Sequence, residues 1–134
     1  MNSPEGPIAL DYGTDFVAFS QQLQETVELD NSELVFAGYG VVAPEYGWND
    51  YEGLDVKGKA VFILRHEPNE MDPNSIFEGT KHSRHAFFLR KANLAKELGA
   101  RAMILVTDPH HRESADDLRL LDTYGLEEDA IEAE

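Results

Sequence analysis

Five histidines are spread along the chain, and their placement invites a test for metal chemistry. The segment His66-Glu67-Pro68-Asn69-Glu70 begins like the zinc-peptidase pattern H-E-x-x-H, in which two histidines one helical turn apart grip the metal and the glutamate serves as base. Its fifth residue is Glu, and Pro68 would sit inside the helix the pattern requires, so the two ligands cannot share a helical face. His82 and His85 are spaced i, i+3, and His110-His111 follow a later apolar run. No carboxylate is placed in the sequence to complete an obvious ligand set with them, and no metal is expected.

Other chemistries fare no better. Gly38-Tyr39-Gly40-Val41-Val42-Ala43 fits G-x-G-x-x-A, but a dinucleotide fingerprint needs its glycines to open a helix that meets the pyrophosphate. Here Pro44 and a polar loop follow, so glycines that relieve a twisted or bulged strand are the better reading. Ser20, Ser32, Ser75, Ser83 and Ser114 lie outside any G-x-S-x-G elbow. Catalytic residues are therefore expected to be absent. Lys81, Arg84 and His85 crowd the start of an expected helix, where backbone N–H groups hold anions such as a partner's carboxylate; the plainer reading is a set of solvated side chains beside an acidic loop. Tyr46, Trp48 and Tyr51 supply either an exposed contact patch or a cover folded back over a sheet edge. Tyr46, Trp48, Tyr51, Arg84 and His85 are thus the candidate partner-binding residues.

These side chains need a scaffold. Ile8-Ala9-Leu10 reads as a short strand with a turn at Tyr12-Gly13, and Val27-Glu28-Leu29 as another. Leu34 to Val42 is rich in β-branched and aromatic residues, and Pro44 ends it. Ala60-Val61-Phe62-Ile63-Leu64 and Ala102-Met103-Ile104-Leu105-Val106 are continuously apolar, as strands buried on both faces are. Between them, Thr80 or Ser83 is positioned to cap a helix running to about Leu98. Phe87, Phe88, Ala92, Leu94, Ala95 and Leu98 form its apolar face, and Gly99 stands where a C-terminal glycine belongs. Strand, helix, strand predicts an α/β crossover with residues 61–64 parallel to 103–106. Asp116 to Leu121 reads as a short helix, and residues 127–134 as an acidic tail.

The 134 residues suit one domain with a packed core, since 42% are hydrophobic. The expected division is a lead-in with peripheral strands at 1–30, a core at 31–126 and the tail at 127–134. Lys and Arg number 11 against 26 Asp and Glu, a net charge of -15, which disfavours nucleic acid and anionic membranes as partners. With no cysteine, disulfides, thiolate catalysis and Cys-ligated zinc are excluded. The opening residues form no signal peptide, and no apolar run is long enough to cross a bilayer.

The stretch from Leu34 to Lys59 reads strand, Gly38-Tyr39-Gly40, an apolar pair, Ala43-Pro44-Glu45, an aromatic loop, Asp50-Tyr51, then Gly53-Leu54-Asp55-Val56-Lys57-Gly58-Lys59. It resembles the protease-associated domain inserted in secreted zinc aminopeptidases related to the transferrin-receptor and glutamate-carboxypeptidase group. The likeness extends over about residues 30–109. It implies a swivelling β/β/α three-layer fold, with a small parallel sheet, a second antiparallel sheet and one main amphipathic helix. It also implies a non-catalytic accessory domain that modulates substrate access or protein contact. The implied partner is the catalytic peptidase domain of a parent chain, with peptide or protein substrate as a further contact. Zinc is expected only in that catalytic domain, and the compartment is extracellular or periplasmic. One departure stands out: the family closes with an apolar strand after the segment near Tyr124-Gly125, where this chain has acidic residues 127–134. Two alternatives stay open: a stand-alone peptide- or carboxylate-binding module, and a small metal-dependent hydrolase using His82, His85, His110 or His111.

Overall fold

The computed structural model describes residues 2–16, 18 and 28–107. The expected helix at 116–121, the tail at 127–134, Val27 and His110-His111 lie outside them. The centre is a three-stranded parallel sheet in the order β3-β6-β7. β3 spans Leu34–Phe36, β6 spans Ala60–Leu64 and β7 spans Ala102–Val106. Val35, Val61 and Met103 share one row of the ladder, and Ile63 pairs with Leu105. These five residues point to one face, because side chains alternate along a strand. There they pack with Leu94 and Ala95 of helix α1, Phe88–Glu97, and with Tyr51 and Val56. Val61 and Ile63 are fully buried, each contributing about 1.5–3 kcal/mol by the usual transfer scale. On the opposite face Leu34 and Phe36 remain exposed, with the Phe36 ring against Phe62.

The parallel crossover of β6, α1 and β7 is as the apolar pattern predicts. α1 ends as expected too. Gly99 has φ +88° and its N–H reaches the Lys96 carbonyl, while the Ala100 N–H reaches Ala95, the paired bonds of a Schellman motif. The helix start differs. α1 begins at Phe88, not at residue 80 or 83, and Phe87 precedes it without a side-chain cap. Ser83 is drawn instead to Glu67, so residues 83–86 form a turn.

The expected strand from Leu34 to Val42 is broken after Phe36. Gly38 and Gly40 both take left-handed φ, at +52° and +67°, and turn the chain. A Cβ on Gly40 would lie 2.9 Å from the Ile63 Cδ1, so only glycine fits over the core there. Beyond the turn, β4 (Val42–Ala43) pairs antiparallel with β5 (Trp48–Asn49) across a 3-10 turn at Pro44–Tyr46. This is the small antiparallel sheet expected beside the parallel one. No helix follows the glycines directly, which removes the dinucleotide reading. Near the start, β1 (Asn2–Ser3) and β2 (Gly6–Pro7) form a hairpin. Ile8 to Leu10 and Glu28-Leu29 join no strand, while a turn does follow Tyr12.

Candidate functional site

In parallel α/β layers, ligand sites gather at the carboxyl ends of the strands. Here those ends carry a concentration of buried polar groups. Lys91 lies on the buried face of α1 and is only 1% exposed. Its Nζ donates to the carbonyls of Tyr39 at 2.7 Å, Leu64 at 3.0 Å and His66. Three acceptors match the three protons of an ammonium. One side chain thus ties the helix to the ends of β3 and β6. Burial draws the Lys91 pKa down to about 7, against the opposing pull of Asp50, Glu67 and Glu70.

Asp50 organises the glycine turn. Its Oδ2 accepts from the N–H groups of Tyr39 and Val41, and its Oδ1 accepts from Trp48 Nε1 at 3.0 Å. Glu67, also 1% exposed, accepts from the Ser83 N–H at 2.8 Å and from the Ser83 hydroxyl, whose oxygen accepts in turn from the His85 N–H. This pair fixes residues 66–67 beside residues 82–83.

The candidate residues divide between two environments. Arg84 and His85 come together on one carboxylate, that of Glu45 in the 3-10 turn. Arg84 donates to Oε1 at 2.8 Å, and His85 Nε2 lies 2.7 Å from the same atom. Foremost the His85 contact, then a backbone N–H and Arg84, hold Glu45 at about 2. The anion that the basic cluster suggests is therefore supplied from within the chain. Tyr46 packs edge-on against Phe77 and His85, and Trp48 edge-on against Phe77, which is fully buried. Tyr51 lies in the main core, 7% exposed, and burial raises its phenol to about 12. Tyr51 thus belongs to the core, whereas Tyr46 and Trp48 are half-buried over Phe77. A cleft of about 380 Å³ runs between Gly40–Val42 and α1, lined by His85, Leu89, Arg90, Asn93 and Glu97 among others.

A second cluster was not foreseen. His66, Glu70 and His82 each offer one ligand atom, and these three atoms lie within 4.8 Å of one another. Glu70 Oε2 is 2.9 Å from His66 Nδ1 and 3.2 Å from His82 Nε2. Burial, partly offset by Glu70, pulls the His66 pKa down. Glu70 is the carboxylate that sequence reasoning found missing. Its proximity to His66 in the failed H-E-x-x-H segment was the available signal. A helix is not needed, because left-handed turns at His66 and Asn69 fold residue 70 back onto residue 66. Among the described helices, none is long and apolar enough to cross a membrane. No protein-family model, no curated protein and no solved structure matches the chain.

Proposed function

We propose that the chain is a non-catalytic accessory domain of protease-associated type. It acts beside the catalytic domain of a zinc-dependent aminopeptidase, modulating substrate access or protein contact in an extracellular or periplasmic setting. The observation that carries this reading is where its reactive-looking groups are spent. Glu67 and Ser83 are bonded to each other and shut away from solvent. His85 is 3% exposed against Glu45, and Lys91 is committed to three backbone carbonyls. Groups spent on such bonds hold the scaffold together and leave no free acid, base or nucleophile among them. The long likeness over residues 30–109 supports the same reading, as does the pairing of a small parallel sheet with small antiparallel ones and a single described α-helix.

The cleft between Gly40–Val42 and α1 favours one variant, in which the domain takes up a peptide without a catalytic neighbour. Two measurements separate these ideas. Incubation of the purified chain with aminoacyl anilides and unstructured peptides, with and without added zinc, is expected to give hydrolysis no faster than buffer. Turnover that follows the protein through gel filtration would overturn the accessory reading. The coding sequence on either side is expected to carry the ligand segments of a zinc peptidase. Flanks without them, together with saturable quenching of Trp48 by peptides, would replace the accessory reading with the receptor one.

A further inference from the structure

We propose that His66, Glu70 and His82 form a binding site for a divalent transition ion of zinc's class, one that clips the two ends of the loop between β6 and α1. This goes beyond the accessory-domain reading and does not depend on it.

Geometry carries the proposal. Around a tetrahedral zinc with bonds of about 2.0–2.1 Å, neighbouring ligand atoms stand about 3.3 Å apart. Glu70 Oε2 already sits 2.9 Å from His66 Nδ1 and 3.2 Å from His82 Nε2. Both Glu70 distances are within a few tenths of an ångström of that spacing, and a ligand nitrogen of each histidine lies within 4.8 Å of the other's. The His66 and His82 rings lie 4.7 Å apart and 35° from parallel, with one nitrogen of each close to the same carboxylate oxygen.

The donor set selects the ion. Two imidazole nitrogens and one carboxylate oxygen suit zinc, cobalt or nickel, whereas calcium and magnesium demand mostly oxygen. The site is also held in place before any ion arrives. The His66 carbonyl is tied by Lys91, and the residues next to the two histidines, Glu67 and Ser83, are bonded to each other. Such support around the ligands keeps them in register. His82 is 47% exposed, so the fourth position opens to solvent and takes water. The ion would cross-link residues 66–70 to residue 82 and keep one position open to water.

The test uses the full chain without an affinity tag. Zinc is titrated calorimetrically, and cobalt is added separately as a visible-absorption probe of coordination. The proposal expects one zinc per chain, a four-coordinate cobalt spectrum, and a rise in melting temperature with zinc. His82→Ala changes an exposed side chain and should still fold, as circular dichroism would verify. It should weaken zinc binding by about 100-fold and abolish both the cobalt spectrum and the thermal shift. The double change His110→Ala with His111→Ala should alter none of these. Absence of saturable zinc uptake, equal binding by His82→Ala, or loss of binding in the His110/His111 variant would overturn the proposal.

Discussion

The two ends of the parallel sheet are built on different principles. At the amino-terminal end, charges stay in water: Lys59 meets Glu33 at 3.3 Å and Asp55 at 3.7 Å, and both carboxylates are mostly exposed. The chain is held there by backbone bonds, from Gly58 to Gly99 and from Arg101 to Lys59. At the carboxyl-terminal end, Lys91, Glu67, Ser83 and His85 are all buried, and each is bonded to backbone or to another of the polar groups. Exposed pairs contribute about 0–1 kcal/mol, whereas a buried charge deprived of its partners costs several. The lesson is that the chain concentrates its electrostatic commitments at one end, the end where α/β proteins place function.

The contrast can be broken most forcefully at its two lysines. Lys91→Met leaves three carbonyls without their donor and is expected to lower stability by about 3–5 kcal/mol, read from urea denaturation. Lys59→Met should change the same measurement by no more than about 1 kcal/mol. Comparable losses would mean that the two ends are equivalent.

A pair of glycines sharpens the same contrast. Gly40→Ala combines left-handed strain with a clash against Ile63 and should cost about 2–4 kcal/mol. Gly58 also has positive φ, +73°, but a Cβ there meets open space, so Gly58→Ala should cost only about 1 kcal/mol. The smallest effect is a pH dependence. The Glu45 carboxyl is held at about 2 in the fold against 4.5 ordinarily, so its contribution is full above pH 4.5 and is lost as pH falls toward 2. The gap in melting temperature between the native chain and Glu45→Gln should therefore close over that interval. A constant gap would assign Glu45 a role other than its charge.

Much of the central layer was legible from the sequence, for a simple reason. Continuous apolar runs at 60–64 and 102–106 read as paired parallel strands and do pair, although β7 is only half-buried where the pattern predicts burial on both faces, and Gly99 marks the helix end by its backbone freedom. The carboxyl-end cluster was not legible. Lys91 in a helix looks like a solvated charge until the strand ends meet it. Glu67 and Glu70 look like ordinary acids until the loop folds back on residues 82 and 83. For the same reason Ser83 read as a helix cap. Its hydroxyl is suited to that role, but a buried carboxylate reached it first. Each of these depends on contacts distant in sequence, which periodicity does not encode.

One buried ammonium joins the helix to the carboxyl ends of two strands. Nitrogen-15 NMR of the lysine side chains below pH 7, where Lys91 is charged, tests it directly. A slowly exchanging Lys91 ammonium signal, coupled through hydrogen bonds to the carbonyls of Tyr39, Leu64 and His66 and absent for Lys59, is the predicted result. A Lys91 ammonium exchanging with water as fast as that of Lys59 would contradict it.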